Sequence, residues 1–197
     1  MTTALNDQAL RQLFTEARTN HGFLDQPVTD DQLQAIWELA KWGPTAVNCL
    51  PMRLVFVKSA AAKEKLKPTL AAGNLAQTMA APTTIIVATD HSFYDRIPRL
   101  FPANVGARDM FANNENLAAT TAFRNATLQG GYLILAIRAL GLDAGPMSGF
   151  DNAKVDEAFF AGTKVKSNFL VNIGYGDASK VFPRGPRPDF SEDCRIV

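Results

Sequence analysis

The chain is poor in the residues that most side-chain chemistry needs. Its 197 residues include two cysteines, Cys49 and Cys194, and two histidines, His21 and His91. Two cysteines are too few for a disulfide framework or a zinc cluster, and neither histidine stands in metal-ligand spacing, so no metal site is expected. An excess of one charge is also missing. Twenty Lys and Arg against 19 Asp and Glu leave a net charge of +1. No broad field exists to attract nucleic acid or an anionic membrane. Long apolar runs are absent too: the stretch near Gly130 to Leu140 is broken by Arg138 and is too short to span a bilayer. The first residues, Met-Thr-Thr-Ala-Leu-Asn-Asp, lack the basic start and apolar run of a signal peptide. The expectation is a soluble, cytoplasmic protein.

Several catalytic motifs are absent as well. There is no phosphate-cradling Gly-x-x-x-x-Gly-Lys-Ser/Thr loop and no Gly-x-Ser-x-Gly elbow. Gly174-Tyr-Gly176 opens like a dinucleotide fingerprint, but Ser179 occupies the third glycine position and prolines follow where a helix should start. With so little imidazole and no base beside a nucleophile, triad chemistry has no footing. No catalytic side chain is expected.

What is present describes an ordinary globular domain. Hydrophobic residues make up 47% and charged residues 20%. A single domain over 1–197 is expected, and a chain of this length buries roughly 70% of its unfolded surface. Leu10, Leu13, Phe14 and Ala17 recur at helical spacing after a candidate N-cap, Asp7. Thr29-Asp-Asp-Gln32 reads as a capping box for a helix with Leu33, Ile36, Trp37 and Ala40 on one face, ending at Gly43-Pro44. Strands are expected at 53–57, 83–89 and 169–173, and helices over 59–72 (bent at Pro68) and 151–160. Residues 91–115 read as a lid-like excursion with little regular structure. Asn116 to Leu140 is the longest helical pattern. Its Leu117, Phe123, Leu128, Leu135 and Leu140 are spread around the circumference, which predicts a central helix buried on most sides. Gly130-Gly131 inside it costs about 2 kcal/mol in propensity. Close approach of another backbone, such as a partner helix, would compensate. Helices and strands without strict alternation predict an α+β layer fold.

Four segments hold candidate chemistry. Gly145-Pro-Met-Ser-Gly149 is a stiff turn whose glycines let backbone approach a flat ligand; an ordinary helix-to-strand connection is its other reading. Ala17-Arg18-Thr19-Asn20 ends the first helix, where a basic residue also complements the helix dipole. Lys41 to Pro51 is a loop rich in small hydroxyl and amide groups. Phe182-Pro-Arg-Gly-Pro-Arg187 carries two guanidinium groups on a stiff tail. Held beside Arg18, these would clamp a phosphate, although an exposed pair is also common solvated surface.

Taken together the segments resemble the FMN-dependent nitroreductase family, most closely its RutE/HadB-like branch, linked to malonic semialdehyde reduction in pyrimidine degradation. The resemblance covers nearly the whole chain. Its parts are Ala17-Arg18-Thr19, Trp42-Gly-Pro-Thr-Ala-x-Asn48, Ser92-x-Tyr94, Thr121 to Asn125, Arg138 to Asp151, Lys166-Ser-Asn and Asn172 to Asp177. It implies a nitroreductase-like three-layer fold, a central, mostly antiparallel sheet flanked by helices. It also implies a domain-swapped homodimer, with 176–197 wrapping the partner, and FMN at the subunit interface. Arg18, Thr19 and Asn20, with Arg184 and Arg187, are then cofactor binders, the arginines on the phosphate. Pro44, Thr45 and Asn48 would lie along the ring and ribityl chain, from the partner subunit. Asn74 would contact the ring, and Pro146, Met147, Ser148 and Gly149 would form its wall, with a Ser148 or Gly149 N–H near N5.

The implied activity is ping-pong hydride transfer from NADH or NADPH to a second substrate, malonic semialdehyde giving 3-hydroxypropionate. Arg108, Phe123 and Arg124 are the substrate candidates; surface ion pairing is the other reading of the two arginines. A broad nitroaromatic or quinone reductase and a non-catalytic flavin-binding module are the alternatives. The chain departs from the family pattern at Arg18-Thr-Asn-His-Gly22, at Leu50-Pro51-Met52 and at Gln77, where the family often has lysine.

Overall fold

The computed structural model describes residues 3–197. The chain begins with α1 (Asp7–Leu10), continued by a wider π turn over Arg11–Thr15. There follow α2 (Asp30–Ala40), β1 (Met52–Val57), α3 (Ala60–Leu66), α4 (Ala72–Ala80) and β2 (Thr83–Asp90). Then come α5 (Ile97–Leu100), α6 (Ala107–Ala112), α7 (Glu115–Ala139), β3 (Asp143–Met147), α8 (Asn152–Phe160), β4 (Val165–Gly174) and α9 (Phe190–Asp193). The capping box at Thr29 and Gln32 forms with both of its hydrogen bonds. At α1 the cap is Asn6, whose side chain accepts from the Ala9 N–H, rather than Asp7.

The four strands pair antiparallel in the order β1-β2-β4-β3. All eight residues of β2 are buried, so the strand has no solvent face. Its side chains alternate between two cores. Ile85 and Val87 join Val171 and Ile173 of β4 against α2 and α7. Ile86 and Ala88 join Leu170 against Leu66 of α3 and Val155 of α8. Helices on both faces of an antiparallel sheet make the expected α+β layers.

Several expectations change. Residues 91–115 are not irregular: they form α5, α6 and short 3₁₀ turns. Phe93, Ile97, Ala107 and Phe111 bury a third core there with Cys49, Ala118 and Ala122. The short turns hid this periodicity. α7 is not buried on most sides. Its inward face is Ala118, Ala122, Ala126, Leu133, Ala136 and Ile137, with Asn125 and Gln129, while Leu117, Phe123, Leu128 and Leu140 are exposed. The alanines let the sheet approach closely, with Leu133 and Ile137 packed among them, and the exposed leucines and Phe123 form an outward stripe. Trp37 is likewise 38% exposed on α2. Gly130 accommodates no partner helix: a Cβ there would stand 2.5 Å from Phe169 Cζ, so the aromatic ring of β4 fills the place.

The Gly-Pro segment is the edge strand β3 rather than a plain turn. The Ala144 carbonyl faces outward and accepts from the Asn20 N–H at 3.1 Å. Alternation turns Pro146 outward in the same way, so its missing N–H costs no ladder bond. Gly145 is needed because a Cβ would meet the Asn20 carbonyl oxygen at 2.4 Å. Backbone of this chain, rather than a flat ligand, makes that close approach.

Candidate functional site

The first cluster forms where the extended tail returns to the end of the first helical segment. Arg18 donates to the Phe182 carbonyl. Arg184 reaches back to the carbonyls of Thr15 (2.8 Å) and Ala17 (3.1 Å). These bonds hold the tail so that Arg18, Thr19, Arg184 and Arg187 line one cleft of about 370 Å³. Two further polar side chains line it that were not singled out as binders, Arg138 from the last turn of α7 and His21. Arg138 donates to the Leu13 carbonyl at 3.0 Å, and its Nε is buried without a partner among the described residues. Burial holds the Arg138 pKa below the usual arginine range; the Arg184 charge adds to this and Asp143 opposes it. Four guanidinium groups line the cleft with no carboxylate among its described residues. Like charges so arranged repel, and a polyanion with forked oxygens relieves that repulsion.

Asn20 turns away from this cleft. It is 4% exposed, and its side chain stands against Gly176, where a Cβ would lie 2.5 Å from Asn20 Oδ1.

The second cluster is the exit of β3. The Gly149 carbonyl accepts from the Ala71 N–H (3.1 Å) and from Asn74 Nδ2 (3.0 Å). Asn74 Oδ1 accepts from Gln77 Nε2 at 2.7 Å, and Gln77 Oε1 lies 2.9 Å from His21 Nδ1. Asn74 and Gln77 share one face of α4, so a hydrogen-bonded chain runs from the arginine cleft to the turn at Gly149. A Cβ at Gly149 would lie 2.3 Å from Asn74 Nδ2, which explains the glycine. Met147 packs its side chain into the α3/α8 core, with its sulfur accepting from the Thr78 hydroxyl at 3.5 Å. The N–H groups of Ser148 and Gly149 donate to no group among the described residues. They remain available to an acceptor.

The third cluster, Pro44, Thr45 and Asn48, does not join the other two within this chain. Thr45 Oγ1 accepts from the Leu50 N–H (3.2 Å), and Asn48 Nδ2 donates to the Leu100 carbonyl (2.7 Å). Asn125 of α7 braces the loop by accepting from the Ala46 N–H at 2.8 Å. Val47, Asn48 and Leu50 have φ of 48°, 49° and 41°. For a β-branched valine this is a costly conformation, of the kind that concentrates at binding sites. Cys49 beneath it is an inert thiol, pushed up to about 11 by burial.

The substrate candidates are dispersed. Arg108 is held on the surface by Asp95 (3.0 Å) and Asp109 (2.8 Å), and these hydrogen bonds raise its pKa. Surface ion pairing, the other reading of Arg108, describes this arrangement. Phe123 and Arg124 are on the outward face of α7. A separate cavity of about 600 Å³, lined by His91, Tyr94, Phe111, Glu115, Lys164 and Lys166, contains none of the expected site residues. Its mixed charge makes it a weaker anion site than the cleft. Among the described residues no helix is long and apolar enough to cross a membrane, and no group of His, Cys, Asp and Glu could hold a metal ion.

The nitroreductase family model matches residues 15–175. A Burkholderia lata protein, provisionally named NADH dehydrogenase/NAD(P)H nitroreductase, is 60% identical over 194 residues, 98% of this chain and 99% of its own. A Bacillus subtilis structure, provisionally named a nitroreductase, superposes with a TM-score of 0.85 at 24% identity, over 98% of this chain and 100% of that one. A similarly named Exiguobacterium sibiricum structure, in complex with FMN, has a TM-score of 0.86 at 19% identity over the whole of both chains. These two structures share the fold.

Proposed function

The chain belongs to the nitroreductase family, and from that premise we propose that it is an FMN-dependent NAD(P)H oxidoreductase acting as a homodimer. The observation that carries the reading is the arginine cleft, joined by hydrogen bonds to a turn with free N–H groups. When bound, FMN supplies hydride acceptance from NADH or NADPH and hydride delivery to the second substrate. The protein supplies position and electrostatics. Arg18, Arg138, Arg184 and Arg187 hold the phosphate, and the orphaned Nε of Arg138 gains an acceptor. The Ser148 and Gly149 N–H groups meet the ring edge, where they stabilise negative charge. Asn74, anchored on the Gly149 carbonyl, holds that edge in place. Pro44, Thr45 and Asn48 reach the ring of the partner subunit's cofactor, which fits their separation from the cleft of their own chain. The exposed stripe of α7 and the largely exposed tail over 176–197 are the surfaces that a second copy would cover.

Two acceptors are supported by different observations. A semialdehyde acid such as malonic semialdehyde needs a cation for its carboxylate, and Arg124 on α7 is a candidate, since Arg108 is already paired. The name of the Burkholderia lata relative, an NAD(P)H nitroreductase, favours a nitro compound, as in the broad nitroaromatic or quinone reductase reading. The purified protein should be yellow and should bleach with NADH or NADPH under anaerobic conditions. A yellow protein that does not bleach would make it a flavin-binding module, and a colourless protein that FMN cannot reconstitute would end the flavin reading. The ratio of kcat/KM for malonic semialdehyde and a nitroaromatic then decides the acceptor.

A further inference from the structure

Among the groups that line the arginine cleft, one is not a guanidinium. The ring centroid of His21 lies 4.6 Å from that of Phe182, and its Nδ1 lies 2.9 Å from Gln77 Oε1. The far end of the relay sets the direction of that bond. A carbonyl oxygen only accepts, so the Asn74 amide must present its nitrogen to Gly149 and its oxygen to Gln77. Gln77 must then donate to Asn74 and present Oε1 to His21. Flipping either amide would set oxygen against oxygen or nitrogen against nitrogen. His21 therefore carries its proton on Nδ1 in both charge states. Nε2 is the nitrogen that changes protonation, on a ring lining a cleft of four arginines.

We infer that His21 is a further phosphate-binding group of this chain, which donates an Nε2–H to an anionic phosphate in the cleft and takes up a proton in doing so. The inference rests on the phosphate site proposed above. Arg18, Arg138, Arg184 and Arg187 face the same space. Lys180 lies against Gly22 and is paired with Asp177, and Asp143 acts on Arg138. Among these cations a phosphate dianion offers Nε2 an anionic acceptor. The proton on Nε2 then comes from solvent, and no covalent bond is made or broken. The relay carries the change onward, because a charged imidazole draws harder on Gln77, and Gln77 on Asn74. Phosphate occupancy is thereby felt at the Gly149 turn.

The test uses FMN, and riboflavin as the same ring without the phosphate. The chain has two histidines, so ¹⁵N NMR of the wild type and His21→Ala assigns both resonances. Neutral His21 should be protonated at Nδ1, and Gln77→Leu should abolish that preference. Calorimetry in buffers of different ionisation enthalpy should show net proton uptake on FMN binding that is lost in His21→Ala. FMN affinity should fall about tenfold in His21→Ala near pH 6.5 and by less near pH 8.5, with riboflavin affinity unchanged. Protonation of neutral His21 at Nε2, or equal proton uptake in both proteins, would overturn the role of His21 while leaving the flavin site intact. A wild type that does not quench FMN fluorescence at all would overturn the flavin reading, and this inference with it.

Discussion

Lys63 places an ammonium where only 6% of the residue meets water, donating to the Thr78 carbonyl and the Thr84 hydroxyl, both at 2.7 Å. Both partners are neutral, so burial dominates and pushes Lys63 down to about 8 from 10.5. Between those pH values the unfolded chain binds more protons than the native one, so this term makes stability rise with pH across the window. Cys49 acts in the opposite sense between 9.0 and about 11, where the unfolded thiol ionises first. Urea unfolding of wild type and Lys63→Met should therefore diverge: from about pH 8 to 10 the wild type gains about 2 kcal/mol relative to the variant. A pH-independent difference would contradict the buried charge. In the cleft, Arg18 and Arg184 brace the tail, whereas among the described residues Arg187 bonds only the nearby carbonyls of Gly185 and Pro186. Arg187→Ala should weaken FMN binding about tenfold and flatten its salt dependence, with the melting temperature unchanged. Arg18, Arg184 and Arg187 were legible in the sequence as guanidinium groups near stiff backbone. Arg138 and His21 were not, because they reach the cleft only through the packing of α7 and the path of the tail.

At the scale of elements, periodicity located the long helix but misjudged its faces. Leu and Phe suggested burial on most sides, yet Gly130 and a run of alanines face the sheet with Leu133 and Ile137, while Leu117, Phe123, Leu128 and Leu140 face out. The two adjacent glycines separate these roles. A Cβ at Gly130 would strike the Phe169 ring, while one at Gly131 would meet nothing within 4 Å. Gly130→Ala should cost about 1–3 kcal/mol in thermal or urea unfolding, whereas Gly131→Ala should gain up to about 1 kcal/mol. β3 was missed because Gly145 and Pro146 sit inside its five residues, and both are poor strand formers. An edge position with Asn20 alongside makes room for them. Beyond its end, Gly149→Val would drive the side chain into Asn74 and break the relay. Flavin loading, read as bound absorbance per protein, should fall to a small fraction of wild type while the circular dichroism is kept. Full loading would remove the turn from the site.

At the scale of the molecule, a single chain leaves much apolar surface uncovered. Phe14 is 52% exposed, Trp42 77% and Phe123 58%, and Leu128 and Tyr132 continue the stripe on α7. A stripe of this kind marks an interaction surface, and a second copy is the proposed occupant. Replacing Phe123 and Leu128 together by Glu should shift sedimentation from dimer to monomer. Flavin loading should fall with it, because the Pro44–Asn48 loop would no longer reach a partner. Loss of the dimer with full loading would place the whole site in one chain. Local periodicity, capping chemistry and residue type were enough to read the α+β layers, the capped helices and a cation set suited to phosphate from the sequence. Only the tertiary structure decided that four arginines and a histidine share one cleft, and that the cleft is wired through α4 to the Gly149 turn. It also left the loop at Thr45 to face elsewhere. Those are relations between residues up to 169 positions apart, as from Thr15 to Arg184, and no local pattern encodes them.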